Sequence, residues 1–565
     1  MVTNSAGVSA SVLVLTLMLF GCGRKAEDPR LKDLNERLSR LEQVPMHFSA
    51  PSGPASGGDA RDLSAKQKEL LKLLVDATKL IHEAFLQQMY PSGVALRDSL
   101  AKLDDEVGTK LYRLVVRNGG PFDKMDEYAN FLGTSKRPLG AAMYPDDLTK
   151  EEFEHYIAAN PDEKEALISP YTTVMRDGNS LKAIPYHETY SKWITPSAEL
   201  LKQGSTLTDN PSLKKYLVSR ADALLTDNYF QADVDWIDLK DSDIDFYIAP
   251  YEVYEDQLMG IKAFYEASIG IVDKAESKRL DLYTSHLDEL EQNLPHDGKF
   301  KRSVKKLASP MVVVNEIFRG GDVATGYQAV ATNLPNDPYV TSIKGTKKVF
   351  WKNMMNARVG KVIEPVGRVL LASDQVQYIT MQASFNLVLM HELCHALGPK
   401  YVYGTNDKVS VSQGLKELAP VIEEGKATVA GLHSIKYLID NGIIPKEMEK
   451  QHYASYLAGI FRTIRFGTTE PHSKAAMCEL NFIRDRSGIR LDPVTKKWSV
   501  NFDSIGPAIS ELARLWLTFE ATGDYERSKE FFRQWSHMSR EVGVALKRLE
   551  HLPVDVEPVY SIQWE

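Results

Sequence analysis

Cysteine is nearly absent from this chain, which carries only Cys22, Cys394 and Cys478 in 565 residues. So low a count excludes a disulfide framework. A Cys394–Cys478 bridge is arithmetically available, but cysteine is commonly a small buried apolar residue, and free buried thiols are the expectation. An excess of positive charge is also missing: 68 Lys plus Arg against 76 Asp plus Glu leave a net charge of −8. Nucleic acid and anionic membrane surfaces are therefore excluded as general partners. No period of about 20 to 50 residues marks a repeat array. What the chain does have is length and 43% hydrophobic residues, enough for a large core and, as a prior, about three or four domain-sized units.

The apolar run SVLVLTLMLF, residues 11 to 20, is too short to span a bilayer comfortably and runs into LFGCGRK, as a signal-peptide core runs into its cleavage site. Leu19, Phe20, Gly21 and Cys22 resemble the bacterial lipobox, although Phe20 is bulky for its place and MVTNSAGVSA lacks Lys and Arg. By that resemblance residues 1 to 21 are a lipoprotein signal peptide and the chain is anchored to membrane lipid through an acylated Cys22. Gly23 stands where inner-membrane retention needs Asp, which places the protein in the bacterial cell envelope, at the outer membrane facing the periplasm. Residues 22 to 63 read as a tether. Leu31, Leu34, Leu38 and Leu41 trace a short amphipathic helix, and SAPSGPASGGDA follows as a Ser/Gly/Pro linker.

From residue 64 onward the pattern is mostly helical. KELLKLLVDATKLIHEAFLQQMY and YEDQLMGIKAFYEASIGIVDKAESKRLDLYTSHLDELEQNL both carry long helical periods, while PMVVVNEIF, YQAVATNLP and KKVFW are strand-like and cluster between residues 310 and 351. The fold class is α+β, mainly α-helical, with a small sheet region.

Chemistry concentrates in LVLMHELCHALGPKYVYG. His391, Glu392 and His395 have the spacing H-E-x-x-H, which on a helix turns two imidazoles toward one Zn²⁺ and sets a glutamate beside an attacking water. The third ligand has two sources. In the metzincin pattern Gly398 fits, but Tyr401 replaces the final histidine. The alternative is a glutamate from a second helix, and LKELAPVIEEGKATVAGLHSIKYL supplies Glu423 and Glu424. Either one can complete the site, the other accepting a hydrogen bond from a ligand imidazole. His433 reads as a packed helix residue.

Several motifs, taken in order, resemble the dipeptidyl peptidase III family of zinc exopeptidases. MHELCHALGP with ELAPVIEEGKATVAGL is similar to the zinc helices of its shorter H-E-x-x-H branch, which also occurs fused to Nudix domains; no Nudix signature is present here. YEVYEDQLMGIKAFYEA, ATNLPND and EPHSKAAMCELNFI resemble three further family segments. The resemblance spans roughly residues 64 to 565. It implies a zinc set of His391, His395 and Glu424, with Glu423 supporting a ligand imidazole. It further implies Glu392 as base, Tyr254 and His472 as stabilisers of the reacting carbonyl, and Glu252, Asn333 and Asn336 as the grip on the substrate amino terminus. Gly425 and Thr428 stand where Ala or Cys and an acidic residue are usual.

The architecture implied is two lobes around a cleft: a mixed lobe mainly over 64 to 350 with a small barrel-like sheet, a helical zinc lobe mainly over 351 to 540, and a C-terminal segment over 541 to 565. The function implied is release of dipeptides from oligopeptide N-termini with one Zn²⁺ per chain. Two alternatives remain open: a zinc hydrolase of another amide or ester, and a tethered lipoprotein that binds zinc or peptide without turnover. Oligomeric state is not legible in the sequence.

Overall fold

The computed structural model describes residues 28–49, 63–304, 310–405, 408–467 and 470–564. The signal-peptide segment, Cys22 and the Ser/Gly/Pro linker at 50–62 lie outside the described residues. Among those described, no helix is long and apolar enough to cross a membrane.

The tether reading requires correction. Helix α1 (Arg30–Ser39) is amphipathic as expected, but Leu34 and Leu38 are buried in a cluster with Leu100, Leu111, Leu114 and Val115. Strand β1 (Leu41–Ser49) then pairs in parallel with the last strand, Asp555–Gln563. Arg37 binds Asp123 at 2.8 Å, and Arg113 and Arg117 both bind Glu557 at 2.9 Å. Two heptads of leucine gave α1 an apolar stripe but named no partner, and that partner is the body itself.

Helix α2 (Ala65–Met89) opens on a capping box in which Ser64 and Gln67 satisfy each other's backbone donors. It packs on a five-stranded sheet of β2 (Ile244–Glu252), β3 (Phe264–Val272), β4 (Met311–Gly321), β5 (Ala331–Leu334) and β6 (Lys347–Trp351), in the order β2-β3-β4-β6-β5. The β4–β6 pair is parallel and the other three are antiparallel. The sheet is open and not a closed barrel. Strands β4, β5 and β6 fall in the strand-like patches, but β3 occupies residues with a helical period. Eight of its nine residues are buried. A strand covered on both faces reads as a continuous apolar run, which periodicity cannot tell from a buried helix. Helix resumes only at Lys274–Ser285.

The second lobe is helical: α3 (Met381–Cys394), α4 (Ala419–Asp440), α5 (Met448–Thr463), α6 (Pro471–Asp485) and α7 (Ile505–Thr522). The described residues thus form a mainly helical, two-lobed α+β fold. Helices α3 and α4 sit at the seam of two cores. Leu389 and Leu393 belong to the core that includes the sheet, whereas Ile422, Val429 and Leu432 belong to the helical one. The site-bearing helices are therefore gripped from both lobes.

Candidate metal centre

Helix α3 starts at Thr380, whose hydroxyl accepts from the Ala383 amide, and ends with His395 as its C-cap. Gly398 follows three residues beyond the cap at φ +78°, the left-handed conformation that favours glycine. That geometry accounts for the glycine that matched the metzincin spacing. Tyr401, at the position where that pattern needs histidine, is 54% exposed and lines a separate surface pocket with Phe300 and Tyr403.

Helix α4 lies close against α3. Glu424, Thr428 and Gly431 follow the i, i+4, i+7 rule for one helix face, and a Cβ added at Gly431 would stand 3.2 Å from the His391 backbone nitrogen. The close approach brings the ligands together. His391 Nε2 and His395 Nε2 are 3.0 Å apart, and Glu424 Oε2 lies 3.2 Å from the first and 3.7 Å from the second. The structure thus selects Glu424 over Glu423 as the carboxylate facing both imidazoles.

Glu423 faces the other way. It meets His395 Nδ1 at 2.9 Å and is held by the buried Lys426, also at 2.9 Å. Lys426 in turn donates to the Cys394 and Leu397 carbonyls, binding α4 to the end of α3. His391 Nδ1 lies 3.1 Å from Thr428 Oγ1, whose own proton goes to the Glu424 carbonyl. Both Nδ1 atoms are therefore protonated and both Nε2 atoms present lone pairs. Burial keeps His391 below the ordinary imidazole pKa, so it is neutral. Two Nε2 lone pairs facing each other at 3.0 Å, with the Glu424 carboxylate beside both, are an unbalanced cluster unless a cation joins them. Two imidazoles and one carboxylate, with their donor atoms within 4.8 Å of one another, fit a three-ligand zinc site open at its fourth position.

Three further groups border this centre. Glu392 lines the same cleft, and its Oε2 accepts from Lys348 Nζ at 3.0 Å. Burial opposes its ionisation, but the Lys348 ammonium works against that, and the carboxyl is held below the ordinary range. His472, on the first turn of α6, stands between Glu424 (Nε2 to Oε2, 3.0 Å) and Glu470 (Nδ1 to Oε1, 2.6 Å). Those hydrogen bonds push its pKa up to about 10, making it an imidazolium at neutral pH. Glu479, two turns further along α6, is buried in the cleft wall and accepts from the Tyr456 hydroxyl at 2.7 Å.

The substrate-terminus residues form a second group. Glu252 closes β2 beside Asn336, whose Nδ2 donates to the Tyr251 carbonyl at 3.3 Å. Burial raises the Glu252 carboxyl despite that neighbour. Asn333 is exposed on β5 and accepts from Thr346 at 2.5 Å. Tyr254, in the turn after β2, is 75% exposed and thus no core residue. None of these four lines the 360 Å³ cleft at the histidines, although Val330 and Ala331, leading into β5, do. The two groups are neighbours across the seam and not one constellation in this structure. Sequence reasoning missed Lys348, Thr428 as an imidazole partner, Glu470 and Glu479. Lys348 sat unremarked in KKVFW; Thr428 alone had a legible signal, being four residues from Glu424.

Two imidazoles and a carboxylate converging in a cleft, with another glutamate adjoining the first imidazole, make the centre of a metallopeptidase. The comparisons with known proteins agree. The model of peptidase family M49 matches residues 146–409. Nudix hydrolase 3 of Arabidopsis thaliana is 31% identical over 558 residues, which cover 89% of this chain and 72% of that protein. The solved structure of DPP III from Caldithrix abyssi superposes with a TM-score of 0.89 at 36% identity, covering 93% of this chain and 99% of that one. DPP III of Corallococcus sp. strain EGB gives 0.78 at 31%, covering 94% and 97%. The chain belongs to peptidase family M49.

Proposed function

We propose that this metallopeptidase is a zinc exopeptidase that releases dipeptides from the N-termini of oligopeptides. The observation that carries the reading is the convergence of His391, His395 and Glu424 in a cleft that also holds Glu392. The likeness to two structures named as dipeptidyl peptidase III supports it.

Zinc, when bound by those three side chains, supplies Lewis acidity that polarises the scissile carbonyl and lowers the pKa of a water. Glu392, kept ionised by Lys348, accepts a proton from the attacking water and passes it to the leaving amine. The His472 imidazolium and the Tyr254 phenol, whose pKa the Glu252 charge raises, donate to the oxygen as it gains negative charge. Glu252, Asn333 and Asn336 hold the peptide's ammonium group, so that the distance from that grip to Glu392 decides which bond is cut. Envelope anchoring rests on the segment around Cys22 alone, and labelling with a radioactive fatty acid, wild type against Cys22→Ala, tests it.

Metal analysis together with turnover of dipeptidyl arylamides, N-blocked peptides and internal-bond substrates tests the reading. The expected result is one zinc per chain and release of dipeptides only from free amino termini. Glu392→Gln should keep zinc and lose about 10²- to 10⁴-fold in kcat. Equal cleavage of blocked peptides favours a hydrolase of other amides or esters; zinc without turnover favours a binding protein.

A further inference from the structure

Lys347 and Lys348 are adjacent on β6 and both are buried. Successive strand residues point to opposite faces, and the two lysines part accordingly. Lys347 goes to Asp245 and the Trp236 carbonyl, within the sheet lobe. Lys348 leaves its own lobe and reaches α3. Its ammonium donates to the Glu392 main-chain carbonyl at 2.8 Å and to Glu392 Oε2 at 3.0 Å. A buried ammonium costs several kcal/mol in desolvation unless it is paired. Among the described residues Glu392 is the carboxylate that pairs with Lys348.

This contact breaks the symmetry of the carboxylate. With Oε2 bound to Lys348, rotation about the last side-chain torsion of Glu392 is blocked, and Oε1 is the oxygen left to meet water. Holding the same residue's carbonyl also fixes α3 against β6 at the level of the motif. Directly across the β5–β6 ladder, the residue opposite Lys348 is Asn333.

We propose that Lys348 is a positioning residue for Glu392: it holds one oxygen so that the other is aimed at the attacking water, and it joins the base to the strand pair that carries Asn333. This rests on the reading of Glu392 as general base. Misplacing a reacting group by about 1 Å costs on the order of 100-fold, and the loss should appear in kcat, because Lys348 does not touch substrate.

The test is a double-mutant cycle on the full chain, measuring kcat, KM, zinc content and melting temperature for Lys348→Met, Lys348→Arg, Glu392→Gln and the Lys348→Met/Glu392→Gln pair. Lys348→Met should lower kcat about 10- to 100-fold, leave KM within about twofold, and retain zinc. Lys348→Arg should recover part of the loss. In the Glu392→Gln background Lys348→Met should change kcat no further, since there is no ionised base left to aim. Unchanged kcat in Lys348→Met overturns the proposal, as does the same loss in both backgrounds or a loss that tracks missing zinc. If Lys348→Met does not fold, Lys348→Gln replaces it in the cycle with the same outcomes. Full activity in Glu392→Gln alone would overturn the choice of base itself, a separate failure.

Discussion

His391 can offer Nε2 to a cation only while its Nδ1 keeps a proton, and the acceptor for that proton is the neutral hydroxyl of Thr428, 3.1 Å away. His395 has the charged Glu423 in the equivalent place. The two ligands are thus supported unequally, and supporting partners of this kind are typically worth 10- to 100-fold in metal affinity. Thr428→Val, close in shape, should weaken zinc binding by about 10-fold or more in a chelator competition while the apoprotein's melting temperature moves little. Glu479 is a different case. It is 2% exposed, has no ion-pair partner among the described residues, and burial pushes its pKa up to about 8 from an ordinary 4.5. Between pH 4.5 and 8 the folded chain holds a proton the unfolded chain has lost, so this group's contribution to stability falls as pH rises through that window. Glu479→Gln, to which Tyr456 can still donate, should melt like wild type near pH 4.5. It should gain on wild type up to about pH 8, by a few kcal/mol.

Helix α4 meets α3 on one face and α7 on another, and glycines at both contacts set the distances. At Gly431 the neighbour is the α3 backbone. At Gly425, directly after the imidazole-facing Glu424, the neighbour is the fully buried Trp516 of α7. A Cβ there would fall 1.0 Å from the indole. Gly425→Ala should therefore push α4 off α7, destabilise the fold by about 1–3 kcal/mol or more, and reduce zinc content because Glu424 moves with the helix. Gly543→Ala, in the helix Arg540–Lys547 where an added Cβ meets nothing within 4 Å, is the control. It should be neutral or stabilise by about 0.5–1 kcal/mol. Legibility at this scale was uneven. The glutamate pair was visible as a motif, but choosing Glu424 geometrically needed the rotation of α4 about its axis, which the two glycine contacts determine.

The two chain ends close the molecule. Strand β1 and the last strand pair in parallel over nine residues each. Asp555 of that last strand anchors Arg358 and Arg462 at 2.9 Å, and both arginines line the cleft. The wall of the site thus depends on the ends of the chain. A chain starting at residue 63 should lose β1, leave the last strand with an unpaired edge, melt lower and aggregate more than one starting at residue 28. A free stalk over residues 30–49 would give identical melting curves. Among the described residues, Cys394 and Cys478 are free and buried.

The sequence by itself determined the metal-binding chemistry, the helical character of the second lobe and the family, because these rest on residue type at short, fixed spacing: His391 to His395 across one helical turn, and Glu423–Glu424 on a single helix. It also determined the strands at 311–351, whose β-branched runs are local. Tertiary structure alone decided that β3 is a strand, that α1 and β1 dock on the body, and that Lys348 reaches Glu392 from 44 residues away. Each of those three depends on what covers a buried face or neutralises a buried charge, and the covering partner lies far along the chain, where no local spacing records it.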